Sequence, residues 1–122
     1  MAKDFYKIVN DIIVKDKRYK LDAYEFVMQA LWHTQKKLKR QGHVSGKELV
    51  EGIRDLGLQQ FGAMARAVFT HWGIQGTADF GEIVFNMIES GLMGKTEEDT
   101  REDFQNVYDF NQALDVFKLN SR

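Results

Sequence analysis

Apolar residues recur three and four apart along almost the whole chain, and with no proline anywhere only glycines and small polar caps are left to interrupt that repeat. A chain written this way is directed towards short helices joined by tight connections. Phe5, Ile8, Val9, Ile12 and Ile13 share one helical face, with Asp4 placed to cap the first helix. A charged connection, Lys15 to Lys20, precedes Asp22 and Glu25, which read as a capping box opening a second helix. That helix is expected to run to about Arg40, with Tyr24, Val27, Met28, Leu31 and Leu38 inward and Gly42 past its end.

Ser45 followed by Glu48 carries the strongest local signal, because hydroxyl and carboxylate can satisfy two orphan backbone donors reciprocally. The third helix starts there and buries Leu49, Ile53, Leu56 and Phe61. Gly62 is expected to separate it from a fourth helix with Ala65, Val68, Phe69 and Trp72, which Gly73 stops. Thr77 reads as the cap of a fifth, with Phe80, Ile83, Val84, Met87 and Ile88 inward and Gly91 at its end. Beyond residue 92 two readings compete. Leu92 to Thr96 can pair with Val107 to Phe110 as a hairpin, or Asp109 and Gln112 can box the start of a last helix with Phe110, Ala113, Leu114 and Phe117. The fold class is therefore mainly α, with five to six helices in one compact domain spanning 1–122. A small C-terminal β-hairpin is an option, and a winged-helix-like arrangement is the alternative.

The segments AYEFVMQAL, GHVSGKELVEGIRDLGLQQFG, WGIQGTADFGEIVFNMIESGL and KTEEDTREDF resemble a small bacterial family of the planctomycete and verrucomicrobial type. The resemblance spans Tyr24 to Phe110 and implies a bacterial single-domain protein. No activity comes with that family, so the resemblance brings no catalytic residue.

Composition narrows the chemistry. Without cysteine there is no disulfide framework, thiolate nucleophile or redox motif. The longest charge-free stretch, Ala67 to Ala78, is too short to span a bilayer, and a cytoplasmic location is expected with no membrane partner. Gly42 to Glu48 has glycines and a lysine at a helix start, but the phosphate loop needs a wider glycine gap, a hydroxyl residue after the lysine and a preceding strand. A capping box explains the same residues. His33, His43 and His71 lack the local spacings that place two metal ligands on one helical face, so a metal site would require the fold to bring them together with Asp79 or Glu82. Ser45, Ser90 and Ser121 offer little to a Ser-His-acid arrangement. No catalytic residue and no cofactor is implied, and the enzyme reading stands last.

Charge is the remaining feature. Residues 1–61 hold 12 Lys/Arg against 8 Asp/Glu, a balance of +4, while 62–122 hold 5 against 10, a balance of −5. The candidate interaction surface comprises two basic clusters, Lys15, Lys17, Arg18, Lys20 and Lys36, Lys37, Lys39, Arg40, and the acidic residues Glu97, Glu98, Asp99, Glu102 and Asp103. If the end of the second helix lay near the first connection, the two basic clusters would merge into one cationic face suited to phosphate. Against a winged helix, the fifth helix carries Asp79, Glu82 and Glu89 and no cation, and the wing would be acidic. The expected role is a noncatalytic protein-interaction or self-assembly module with an unknown protein or a second copy as partner. Nucleic-acid binding through the N-terminal basic residues is the alternative.

Overall fold

A computed structural model of the chain describes residues 2–40, 42–94 and 101–114. Among them four helices are long: α1 (Ala2–Lys15), α2 (Leu21–Lys37), α3 (Gly46–Phe61) and α5 (Thr77–Glu89). Between α3 and α5 a three-residue 3-10 turn leads into the seven-residue α4 (Ala65–His71), and the single turn α6 (Phe110–Ala113) follows a 3-10 turn at Arg101–Phe104. The fold is mainly helical, but the expected five to six helices reduce to four long ones. No strand occurs among the described residues, so the hairpin and the winged-helix arrangement are not found. Phe110 joins a helical turn because its ring is wanted in the interior, 6.1 Å from Phe69 and 5.9 Å from Phe80 between centroids. Phe117, expected on the same face, lies outside the described residues.

The helical faces match the repeat. Phe5, Val9 and Ile12 of α1, Tyr24, Val27 and Met28 of α2, Leu49, Ile53 and Leu56 of α3, and Phe80, Ile83, Val84 and Met87 of α5 are buried in one cluster. Leu38, expected inward, is 38% exposed because α2 has already ended. The Ser45–Glu48 capping box forms in both directions, with Glu48 N–H donating to Ser45 Oγ at 3.1 Å and Ser45 N–H to Glu48 Oε1 at 2.9 Å. Asp4, Asp22 and Thr77 do not cap their helices. Asp4 and Asp22 lie inside the first turns of α1 and α2, where their charge opposes the positive end of the helix. Thr77 is the first residue of α5 after Gly76, and its hydroxyl accepts from Val107 N–H at 3.2 Å.

Helix ends follow one pattern. After α4 and α5 the residue beyond the C-cap, Gly73 or Gly91, takes a positive φ, and backbone donors return to Phe69 and Thr70 or to Met87 and Ile88. These are Schellman closures, for which glycine carries no side-chain penalty. At α2 the same closure runs from Arg40 N–H to Gln35 O and from Lys39 N–H to Lys36 O, but Lys39 occupies the left-handed position at φ 54°. Gly42, expected to end this helix, lies downstream of the closure.

Close approach of helices is set by absent side chains. A Cβ at Gly52 of α3 would overlap Thr34 Oγ1, and Thr34 is buried on α2 with its hydroxyl donating to Ala30 O at 2.7 Å. At Gly81 a Cβ would come within 2.8 Å of Phe104, and at Gly46 within 3.0 Å of the same ring. Phe104 thereby seats the 3-10 turn against the amino-terminal halves of α3 and α5.

Gly52→Ala should lower stability by about 1–3 kcal/mol, with partial recovery when Thr34→Ala removes the clashing hydroxyl, as read from chemical denaturation of the single and double variants. Lys39→Gly should raise stability by roughly 0.5 kcal/mol in the same assay, because relief of the left-handed side chain exceeds the added freedom of the unfolded chain.

Candidate functional site

The two basic clusters do not merge. Lys15, Lys17, Arg18 and Lys20 lie at the connection that enters α2, whereas Lys36, Lys37, Lys39 and Arg40 lie at its far end. They stand at the two ends of a seventeen-residue helix, roughly 25 Å long. Several of these cations are also engaged within the fold. Arg18 pairs with Asp16 at 2.6 Å and Glu82 at 3.3 Å, Lys37 with Asp55 at 2.6 Å, and Arg40 with Glu48 at 2.7 Å. The expectation of one cationic face is therefore corrected by the length of α2 and by the carboxylates of its neighbours.

On the acidic side, Glu102 is exposed, and Asp103 is half-buried close to Gly46 at the amino end of α3, where a negative charge opposes the helix dipole. Glu97, Glu98 and Asp99 lie outside the described residues. Of the acids of α5, Asp79 and Glu82 are turned to internal use, while Glu89 is exposed. Asp79 accepts from the Tyr19 hydroxyl and, at 2.8 Å, from Gln75 N–H, while Glu82 meets Arg18. This side of α5 is packed against the connection 16–20 and is not a groove-reading face.

Around that connection a part-buried polar network ties distant segments together. Asn86 donates to Asp16 Oδ2 at 3.0 Å and to the Tyr24 hydroxyl at 3.1 Å, and Lys20 N–H donates to Trp72 O at 3.2 Å. Desolvation, followed by the hydrogen bond to Asp79, pushes the Tyr19 hydroxyl above its ordinary range, and burial does the same to Tyr108, whose hydroxyl donates to Val50 O at 3.1 Å. Both tyrosines stay neutral at physiological pH. Their bonds are those of structural pins.

The histidines are dispersed: half-buried His33 within α2, exposed His43 between α2 and α3, and exposed His71 at the end of α4. Among the described residues no group of three His, Asp or Glu is arranged to hold a metal ion. Ser45 is committed to its cap, and Ser90 is the C-cap of α5. An apolar cleft of about 290 Å³ opens between α2, α3 and α5, with Leu31, Leu49, Val84 and Ile88 in its walls and Phe104 at its base. No helix of the described residues is long and apolar enough to cross a membrane.

The feature that a reading of charge runs passes over is the outer face of α2. Asp22, Glu25, Gln29, Trp32 and Lys36 follow one another at alternating steps of three and four, which aligns them in one stripe. Trp32 is 46% exposed, and Tyr6 of α1, 40% exposed, donates its hydroxyl to Glu25 at 2.5 Å. Beside the first half of this stripe lies a groove of about 190 Å³ reaching to the end of α3. The spacing could have revealed the stripe; the groove requires α3 to be in place. No family model, no curated protein and no solved structure matches this chain.

Two carboxylates carry an acid dependence. The Arg40 guanidinium and then the Ser45 N–H hold the Glu48 carboxyl at about 2, against an ordinary 4.5, and Arg18 chiefly holds Asp16 well below the usual carboxylate range. Because the folded values lie below the unfolded ones, this stabilisation is present above pH 4.5 and is lost as pH falls towards 2. The melting temperature should drop across that window, and Glu48→Gln should flatten part of the slope.

Proposed function

We propose that the protein is a noncatalytic interaction module of the bacterial cytoplasm, engaging another protein or a second copy of itself through the outer face of α2. The supporting observation is that stripe. It presents Trp32 to solvent on a helix whose other faces are packed into the core, and Glu25 holds the exposed Tyr6 of α1 beside it. Exposed tryptophan and tyrosine supply large contact area at small entropic loss and are the residue types that most often anchor interfaces. Asp22 and Glu25 stand at one end of the face and Lys36 at the other, so complementary charge can orient a partner along the helix axis. Separation of the two basic clusters counts against the alternative, a nucleic-acid module using the N-terminal basic residues, because few phosphates can be met at once.

Size-exclusion chromatography with light scattering, between about 0.1 and about 1 M salt, tests this reading as the Debye length falls from about 10 to about 3 Å. Self-association that weakens with salt and with Trp32→Ala, at unchanged melting temperature, is the outcome expected of a self-assembly module. A monomer at every salt concentration restricts the reading to a different protein partner. A shift in elution seen only when a short nucleic-acid duplex is added, and lost on neutralising Lys15, Lys17 and Lys20, would overturn it in favour of phosphate binding.

A further inference from the structure

We propose that the groove between the first half of α2 and the end of α3 receives an arginine side chain carried by a basic segment of a protein partner, an inference that rests on the interaction-module reading and names what one part of its surface takes. The walls and floor of this groove have distinct chemistries. Asp22 and Glu25, three residues apart on one helical face, supply two carboxylates on the α2 side, and Gln29 and Gln60 place an amide on each bank. The floor is aromatic. Phe26, Phe61 and Trp72 form a mutual cluster with ring centroids 5.5, 5.6 and 5.7 Å apart. Among the described residues no cation lines it.

Each alternative occupant fits less well. An anion would meet two carboxylates with no compensating donor of positive charge. A purely apolar chain could cover the rings, yet it would strip water from Asp22 and Glu25 without replacing the lost hydrogen bonds. A lysine ammonium satisfies the charge but is compact and strongly hydrated and does not stack. The guanidinium group is planar, stacks on aromatic faces and offers several donors to carboxylate and amide oxygens together. At about 190 Å³ the groove has the scale of one side chain and lies below the roughly 300 Å³ at which drug-sized ligand pockets begin. Trp32 lies two helical turns beyond Glu25 on the same stripe, placed to contact flanking residues of the same segment.

The test uses the whole chain and a short glycine-serine peptide with one central arginine, acetylated and amidated at its ends. Binding is followed by NMR at the indole N–H of Trp72, one of two tryptophans, with Trp32→Phe separating their signals. The arginine peptide should move the Trp72 signal. Its citrulline counterpart, neutral and nearly isosteric, should bind roughly tenfold more weakly, the scale set by losing one exposed ion pair and one cation–π contact. Asp22→Asn with Glu25→Gln should weaken the arginine peptide to a similar degree, with thermal melting confirming that the variant folds. Equal response to the two peptides, or no movement of the Trp72 signal with either, would overturn the proposal, and the comparison on the unaltered chain stands even if the variant unfolds. A wild-type dimer that the double variant dissolves would show a second copy in the groove and would overturn the assigned partner while leaving the interaction-module reading intact. An arginine response that persists in Trp32→Ala, in a chain shifted only by nucleic acid in light scattering, would sink the broader reading alone.

Discussion

The close passage of α2 over α3 at Gly52 organises the domain, because these two helices share the most extensive contact in it, with α1 and α5 packed on α2 and α4 and α5 packed on α3. A glycine there lets Thr34 enter the neighbouring helix's surface, and Thr34 can be buried only because its hydroxyl is satisfied by the carbonyl four residues earlier on its own helix. With that distance set, Val27 and Met28 share a buried cluster with Val50 and Ile53, and the aromatic group around Phe69 closes beneath. Phe69 itself presses against Gly57, where an added Cβ would lie 2.7 Å from its ring. The core is thus built from large rings set against glycines, an arrangement that makes packing depend on the missing side chains as much as on the present ones.

Electrostatics follows from the same placement. The basic clusters stand at opposite ends of the seventeen-residue α2, and α3 meets the second cluster with Asp55 and Glu48. Arg18 is drawn between Asp16 and Glu82, so the first cluster is also partly answered inside the molecule. Charge that looks like a binding feature along the chain is therefore divided between internal pairing and solvent. What remains on the outer face of α2 is Asp22 and Glu25 at one end, Lys36 at the other and the exposed Trp32 between, with Tyr6 of α1 alongside.

The helix-forming pattern was legible wherever a periodic apolar face and a local cap agreed. The Ser45–Glu48 box was readable because both partners lie within one turn and need no tertiary support. Asp22–Glu25 has the same residue spacing, yet α2 starts one residue before Asp22, so the carboxylate cannot act as its cap. Lys39 was not recognisable as the end of α2, since a left-handed lysine has no sequence mark of the kind glycine provides. Of the two readings beyond residue 92, the short helix at Phe110 forms and, among the described residues, the hairpin does not, for a related reason. Phe104 and Phe110 are held by rings and glycines distant in sequence, and β-propensity says little about a segment whose conformation is imposed by such contacts.

By itself the sequence determined which faces of the helices are apolar, the capping box of α3, the glycine-ended closures of α4 and α5, and the absence of cysteine chemistry. These are properties of residues within a turn or two of one another, or of composition alone. Only the tertiary structure decided that the basic clusters stand apart, that Asp79 and Glu82 serve internal contacts, and that Phe26, Phe61 and Trp72 floor a groove edged by Asp22 and Glu25. Each of those depends on the distance and rotation between helices, which arise from how side chains of one element fill the gaps in another and are not encoded in any local stretch of the chain.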